Sequence, residues 1–197
     1  MEKVSVIIPT FNRLELLLKA VESVMLQTYP VIEIIICDDG STDNTAEEIS
    51  KIKDSRIIYL PLNHSGRPAP ARNAGIIKSS GTWLAFLDSD DTWHPEKIRI
   101  QIAGVQSSGL LAACSNAYRI KENNKSLFFE SVFTRINFST LLNDNKIICS
   151  SSLIHRTLIE KVTGFPEEPA FRGIEDYALW LRVAALTEFQ FCNEPLV

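Results

Sequence analysis

The sequence predicts an α/β fold in which a mostly parallel sheet is flanked by helices. Between residues 4 and 118, short apolar runs rich in β-branched side chains alternate with segments whose apolar residues recur every three or four positions. Repeated strand–helix–strand order implies parallel strands, because each crossover helix returns the chain to the same end of the sheet. A length of 197 residues is enough for one domain with a sizeable core.

Five strands and four helices are predicted in the first half of the chain. Pro9 closes the first strand, and the second strand has no polar alternation, which is expected when both faces are covered. Leu17 and Val21 belong to an apolar stripe at helical spacing. Residues 63–70 have the composition of a loop, and Pro95 suits the first turn of the fourth helix. The predicted strands are 4–8, 32–37, 57–60, 83–87 and 110–118, and the predicted helices are 14–25, 45–52, 71–78 and 96–106.

The second half is predicted to be less regular. Residues 121–145 lose periodicity and gain Asn, Lys and Phe, which predicts an irregular excursion over the sheet. Beyond it, the pattern predicts a strand over 147–154, one or two helical turns over 157–162 and a helix over 176–185. No internal repeat or low-complexity linker divides the chain, so one domain is the simplest description.

Composition and charge exclude several classes of protein. With 45% hydrophobic and 22% charged residues, the chain is typical of a globular protein. The net charge of −4 offers no basic footprint, so no nucleic-acid partner is expected. No apolar run approaches the ~18–20 residues that span a bilayer, and the N-terminus lacks the layout of a signal peptide. The four cysteines follow no CxxC spacing, which favours free thiols in a cytoplasmic protein over zinc or disulfides.

Polar side chains follow three of the predicted strands at the point where each strand ends. Ligands of open parallel sheets bind at the carboxyl ends of the strands, so these side chains are expected to share one rim. The alternative is ordinary turn chemistry, since Asp, Gly and Ser are common in loops. The residues are Pro9, Thr10, Phe11 and Asn12 after the first strand, Asp39 after the second, and Asp88, Ser89 and Asp90 after the fourth.

The sharpest local signal is the pair of carboxylates Asp88 and Asp90, one residue apart after a buried strand. Mg²⁺ and Mn²⁺ take one or two carboxylates together with phosphate oxygens of a substrate. The alternative is a helix cap, with Asp91 or Thr92 capping the helix that Pro95 opens. Both are compatible, because Asp91 could cap while the other two carboxylates bind a cation.

The loop before the fourth strand carries two arginines, Arg67 and Arg72, near the start of a helix. Backbone N–H groups at a helix start and a basic side chain favour anions, so a diphosphate is a fitting guest. A surface loop with solvated arginines is the alternative.

A second pair of acidic residues, Glu175 and Asp176, begins the last predicted helix. A carboxylate aimed at the rim of the sheet could serve as a general base. The alternative is that both residues only complement the helix dipole.

Taken together, these blocks resemble the glycosyltransferase family 2 enzymes, which have the GT-A nucleotide-sugar-binding fold. Each block is short, but their order and spacing run through nearly the whole chain, which makes the resemblance specific. The matching blocks are residues 4–13, 23–29, 38–45, 71–75, 86–91 with 95–97, and 173–176.

The resemblance implies a binding site for a nucleoside diphosphate sugar. Pro9, Thr10 and Phe11 would line the pocket for the base and ribose. Asp39 would accept a hydrogen bond from the base, as in UDP-using relatives. Asn12 lies within the first matching block and is counted among the donor-binding residues.

The resemblance also implies how the diphosphate and a divalent cation, Mn²⁺ or Mg²⁺, are held. Arg67 and Arg72 would approach the ribose and diphosphate. Asp88 and Asp90 match the family's D-x-D motif and would bind the metal, Asp90 by direct coordination. Ser89, between them, is counted with the donor-binding residues.

The implied reaction is a single displacement that inverts the anomeric centre. Asp176, or Glu175 beside it, would remove the proton from an acceptor hydroxyl. The expected donor is UDP-linked, and the expected acceptor is a glycan or lipid-linked sugar in cell-surface polysaccharide synthesis. A cytoplasmic location is expected, and the acceptor leaves open a peripheral association with the inner face of the membrane.

Within the single domain, residues 1–120 are expected to bind the nucleotide sugar and residues 121–197 to form the acceptor and catalytic half. Family members usually continue through another strand and helices, so a C-terminal truncation is expected. The alternative function is a non-catalytic, nucleotide-sugar-binding remnant or truncated module.

Overall fold

An eight-stranded sheet forms the centre of the protein in a computed structural model, which describes residues 2–121 and 124–197. Two further strands form a separate hairpin beside it. The sheet strands are β1 Val4–Thr10, β2 Val31–Asp38, β3 Ile57–Pro61, β4 Trp83–Phe86, β5 Ala112–Asn116, β8 Arg135–Ile136, β9 Leu153–His155 and β10 Phe189–Pro195, and the hairpin strands are β6 Tyr118–Lys121 and β7 Asn124–Leu127.

The sheet has the order β3-β2-β1-β4-β9-β5-β10-β8. Strands β3, β2, β1 and β4 pair in parallel, and so do β5 and β10. Strand β9 lies antiparallel between β4 and β5, and β8 lies antiparallel to β10. A strand from the second half of the chain therefore joins the two parallel parts of the sheet.

Helices cover both faces of the sheet, and each face has its own apolar core. Along β1 the side chains alternate, so that Val6 and Ile8 enter one core while Ile7 enters the other. The first core is covered by α1 Leu14–Met25, α2 Thr45–Lys51 and α4 Lys97–Ser108. The second is covered by α3 Pro68–Lys78, α5 Phe138–Asn143, α6 Arg156–Val162 and α7 Glu175–Ala184.

The predicted fold class is confirmed, and the elements of the first half lie close to their predicted bounds. Helix α3 begins three residues earlier than the predicted helix, at Pro68. Proline suits the first turn of a helix because its missing N–H has no intrahelical partner there. This earlier start matters for the site, because it brings the N-terminal turn of α3 beside Arg67.

The predictions for the second half need three corrections. The part of 121–145 that the structure describes, which omits 122 and 123, is not irregular throughout but contains β7, β8 and α5. The predicted strand 147–154 is instead a 3₁₀ turn, Cys149–Ser151, followed by the short strand β9. Strand β10 was not predicted, because its exposed half, through Asn193 and Glu194, breaks the apolar run that marks a buried strand.

Candidate functional site

The carboxyl ends of β1, β2 and β4 and the start of α3 surround a cavity of about 470 Å³, here called the rim cavity. Nine of the ten residues predicted to bind the donor line it, and only Asn12 does not. The expectation that three strand ends share one rim is therefore met by the structure. The lining residues are Pro9, Thr10, Phe11, Arg13, Asp39, His64, Gly66, Arg67, Pro68, Ala71, Arg72, Asp88, Ser89 and Asp90.

Asn12 supports the wall of the cavity from behind. Its backbone has a positive φ of 48°, a conformation that asparagine tolerates better than most residues. Its side-chain oxygen accepts hydrogen bonds from the backbone N–H groups of Thr42, at 2.7 Å, and Asp43, at 3.3 Å. The residue thus fixes the loop after β2 against the end of β1.

Asp39 is a buried carboxylate held by the loop that precedes α3. It accepts hydrogen bonds from the N–H and hydroxyl of Ser65, both at 2.8 Å, and from the N–H of Gly66 at 2.9 Å. Nδ1 of His64 lies 2.8 Å from the Asp39 carbonyl oxygen and must therefore carry a proton. The His64 ring stacks on Phe11, with centroids 4.2 Å apart, and forms an aromatic wall of the cavity.

The two carboxylates of the D-x-D pattern both open on the rim cavity, each paired with an arginine. Arg13 donates to Asp90 at 2.9 Å, and both side chains are about half exposed. Arg72, which is buried, donates to Asp88 at 2.7 Å. Nε of Arg72 has no hydrogen-bond partner among the described residues. Buried polar atoms without a partner are rare in folded proteins, and a functional role is one explanation for them.

The carboxylates of this rim could bind a divalent cation whose remaining coordination positions are filled by a bound ligand. Within residues 2–121 and 124–197, no group of three or more His, Cys, Asp or Glu could hold a metal ion. The available donors are the carboxylates of Asp88 and Asp90. Mg²⁺ and Mn²⁺ bind through one or two carboxylates when substrate phosphates complete the coordination, so the donor set is suited to a metal–diphosphate pair.

Asp91 does not cap α4, so the capping alternative for this residue is wrong. The helix begins at Lys97, with Glu96 at the capping position. Asp91 instead accepts a hydrogen bond of 2.6 Å from the hydroxyl of Ser150, which also accepts from the N–H of Asp88 at 3.0 Å. Burial raises the pKa of Asp91. A serine from the second half of the chain thus anchors the turn that carries the D-x-D residues.

Glu175 and Asp176 begin α7, but their side chains enter different surroundings. Glu175 is buried, accepts from the N–H of Gly173 at 2.7 Å and lies 3.4 Å from Arg72. Asp176 opens on a second cavity of about 580 Å³, here called the lateral cavity. Burial raises the pKa of Asp176, although its own hydrogen bond from the N–H of Tyr177 opposes the shift.

Asp88 lies on the boundary of the two cavities, because it lines both. A group in the rim cavity and a group in the lateral cavity would therefore meet beside this carboxylate. The lateral cavity is lined by Asp88, Phe128, Phe129, Asp144, Asn145, Lys146, Ile147, Ile148, Cys149 and Asp176.

Several protein families share a sheet of this kind, and a comparison with family profiles decides among them. The sequence profile described as Glycosyl transferase family 2 matches residues 5–163. The chain belongs to glycosyl transferase family 2. Relatives bearing glycosyltransferase names cover most of its length, so this family 2 chain is a glycosyltransferase.

One similar protein is UDP-Glc:alpha-D-GlcNAc-diphosphoundecaprenol beta-1,3-glucosyltransferase WfaP from Escherichia coli. It is 41% identical over 183 residues, which cover 93% of this chain and 70% of WfaP. Some other curated relatives are longer, and the chain spans about 30% of their length.

Solved structures confirm the GT-A fold. Staphylococcus aureus TarS 1-349 in complex with UDP superposes with a TM-score of 0.83 at 21% identity, over 98% of this chain and 59% of that one. The mannosyltransferase PcManGT from Pyrobaculum calidifontis, in complex with GDP-Man and Mn²⁺, gives a TM-score of 0.73 at 18% identity, over 98% and 54% of the two chains.

Two residues of this transferase rim had no predicted role. His64 and Ser150 lie outside the matching blocks, and only the fold brings them to Phe11 and Asp88. A serine in an apolar stretch and a histidine in a loop carry no pattern that indicates such contacts. Separately, none of the helices among the described residues has the length and apolar character needed to cross a membrane.

Proposed function

We propose that this family 2 chain is an inverting, metal-dependent transferase that moves a sugar from a UDP-linked donor to a hydroxyl of a lipid-linked glycan. The observation that carries the proposal is the position of Asp88 at the boundary of the rim and lateral cavities, with Asp176 in the second. A donor in the first cavity and an acceptor in the second would place the anomeric carbon between the diphosphate and a base.

The rim cavity is proposed to hold the nucleotide part of the donor. Pro9, Thr10 and Phe11 form its base and ribose wall. The buried carboxylate of Asp39 is fixed by three hydrogen bonds from the loop, two on Oδ1 and one on Oδ2, so Oδ2 has room for a further donor such as a base N–H. A base that presents an N–H at this point, as uracil does, fits an acceptor-only group.

The diphosphate is proposed to lie at the cationic end of the same cavity. Arg67 and Arg72 line that end, and a guanidinium matches phosphate oxygens in geometry and charge. Asp88 and Asp90 would hold a Mn²⁺ or Mg²⁺ ion, which when bound neutralises charge on the leaving diphosphate. Arg13 and Arg72 would then have to share their carboxylate partners with that ion.

In the reaction, the acceptor oxygen forms a bond to the anomeric carbon from the face opposite the diphosphate. The bond between that carbon and the diphosphate oxygen breaks, and the nucleoside diphosphate leaves with the electron pair. Asp176 takes the hydroxyl proton, and its raised pKa makes it a better base than an exposed aspartate. Glu175, which is buried and bonded to Gly173, is better placed to hold Arg72 than to reach an acceptor.

The name of WfaP supports UDP-glucose as donor and a sugar linked to a diphospholipid as acceptor. With such an acceptor, the enzyme would work at the cytoplasmic face of the membrane. Residues 1–120 would supply the donor site and residues 121–197 the acceptor side. A transferase and a chain that only binds the donor are separated by the test below.

The test is calorimetric titration of UDP and GDP, with Mn²⁺ and then with EDTA, into wild type, Asp90→Asn and Glu160→Gln. Glu160 is an exposed carboxylate on α6 and serves as the control. We expect metal-dependent binding of UDP that Asp90→Asn weakens and Glu160→Gln leaves unchanged. A folded protein that binds no nucleoside diphosphate would overturn the proposal.

Transfer is then measured with UDP-glucose and a lipid-linked acceptor on wild type and Asp176→Asn. We expect Asp176→Asn to bind UDP normally and to lose transfer. Normal donor binding without transfer by the wild type would favour the non-catalytic module instead.

A further inference from the structure

The lateral cavity combines three chemical features beside the donor site. Asp176 and Asp88 provide its acidic part, where the reacting hydroxyl is proposed to lie. Phe128 and Phe129 provide an aromatic surface, with ring centroids 4.9 Å apart. Lys146 is the single basic residue of its lining among the described residues. A ligand with an apolar ring face, a hydroxyl and an anionic group would match all three.

Lys146 is placed so that it can receive an anion from the cavity. Its side chain is 27% exposed, and its ammonium lies 2.5 Å from a carboxylate oxygen of Asp144. The ammonium also lies 5.7 Å from the centre of the Phe129 ring. Asp144 is itself 63% exposed, and surface ion pairs of this kind contribute little free energy. An incoming phosphate can therefore displace the Asp144 carboxylate from the Lys146 ammonium or bind the ammonium together with it.

We propose that Lys146 binds the phosphate groups of a sugar-diphosphate acceptor, an inference that rests on the proposed function. In such an acceptor the diphosphate is attached to the anomeric carbon, whereas the reacting hydroxyl lies elsewhere on the ring. The general base must then contact the reacting hydroxyl, while the lysine contacts the diphosphate at another position of the same sugar. The lateral cavity meets this requirement, since Asp176 and Lys146 both line it while the aromatic pair offers a surface for the C–H face of the ring.

The test compares two acceptors that differ in the diphosphate. One is GlcNAc-diphosphate carrying a short alkyl chain, and the other is a neutral alkyl GlcNAc glycoside. For Lys146→Gln we expect the KM of the diphosphate acceptor to rise roughly 10- to 100-fold, as for loss of a charge-assisted hydrogen bond. The KM of the neutral acceptor and the affinity for UDP should stay unchanged. Lys146→Arg should retain most of the binding.

Two control variants sharpen the result. Asp144→Asn removes the competing carboxylate and should lower the KM of the diphosphate acceptor. Lys53→Gln removes an exposed lysine that does not line the cavity and should change the KM of neither acceptor. An equal loss for both acceptors with Lys146→Gln, or no loss for the diphosphate acceptor, would overturn the inference.

Direct calorimetry of the diphosphate acceptor with wild type and Lys146→Gln separates this inference from the proposed function. Lysine-dependent binding without transfer would support the site while contradicting the enzyme assignment. Transfer to both acceptors with no dependence on Lys146 would support the enzyme assignment and contradict the site. Binding that is equally strong for inorganic diphosphate would also count against recognition of the sugar-diphosphate as a unit.

Discussion

At the scale of single residues, Ser150 is a buried hydroxyl that bonds the turn carrying the D-x-D carboxylates. Ser150→Ala would leave the half-buried carboxylate of Asp91 without its hydrogen-bond donor, at a cost of about 1–3 kcal/mol in the free energy of unfolding. Because Asp88 also loses a partner, we expect the donor KM to rise. Urea denaturation and donor kinetics measure the two effects.

Ser151 provides the matched control for this prediction. It is equally buried, but its hydroxyl donates to the Ile148 carbonyl at 2.8 Å and bonds to no other residue that the structure describes. Ser151→Ala should lower stability without raising the donor KM. Equal donor kinetics in Ser150→Ala and Ser151→Ala would show that Ser150 does not position the metal-binding turn.

The raised pKa of Asp176 makes a prediction about pH. A base must be ionised to accept a proton, so kcat/KM should fall as the pH drops through the pKa of Asp176. Since burial raises this pKa, the loss should begin at a higher pH than for an exposed aspartate. Like charge on Glu175 raises it further, so Glu175→Gln should move the acidic limb to lower pH. The pH–rate profiles of both proteins measure the shift, and complete inactivity of Glu175→Gln would instead make Glu175 the base.

At the scale of elements, helix α3 carries Arg72 and packs unusually close to the sheet. A Cβ added at Gly75 would lie 2.5 Å from a methyl carbon of Ile7 and 2.8 Å from the Cys37 sulfur. Gly75→Ala should therefore destabilise the protein by about 1–3 kcal/mol through overpacking. It should also weaken UDP binding, because the helix must move with its arginine. Thermal unfolding and calorimetry test the two effects.

Gly104 on α4 is the control, because it is also a helical glycine. Among the described residues, a Cβ there would meet within 4 Å only the side chain of Gln190, at 3.3 Å. Since alanine favours helices over glycine by about 1 kcal/mol, Gly104→Ala should be neutral or stabilising and should bind UDP normally. A stabilised Gly75→Ala protein would contradict the tight packing of α3.

The elements that sequence patterns predicted well are those with local signals. Strands β1 and β2 are mainly apolar runs, and their polar ends predicted rim residues. Strand β10 has no such local signal, because Asn193 and Glu194 interrupt its apolar residues, and its place in the sheet depends on long-range contacts with β5 and β8. The same limit applies to the site: Asp39 lies in a recognisable motif, whereas the Ser150 contact with Asp91 joins residues 59 positions apart.

At the scale of the whole molecule, the two halves of the chain are interleaved in one sheet. Strand β9 from the second half lies between β4 and β5 of the first. Arg72 adds a polar link, because it contacts both Asp88 and the buried Glu175 of α7. The donor site and the base therefore belong to one packed unit, even though separate parts of the sequence supply them.

This interleaving predicts that both halves unfold in one transition and that UDP stabilises both. Trp180 lies in the second half, whereas Trp83 and Trp93 lie in the first, and all three are buried. Two variants, Trp180→Phe and the double variant Trp83→Phe with Trp93→Phe, therefore report on one half each. In each variant, tryptophan fluorescence and far-UV circular dichroism should give the same urea midpoint, as expected for two-state unfolding.

UDP with Mn²⁺ at 100 times its Kd should add about 2.7 kcal/mol to the free energy of unfolding. That gain should be seen by Trp180 although the rim cavity is built mainly from the first half. If the Trp180 transition did not respond to UDP, the acceptor side would be a separately folding unit, and the coupling through β9 and Arg72 would be wrong.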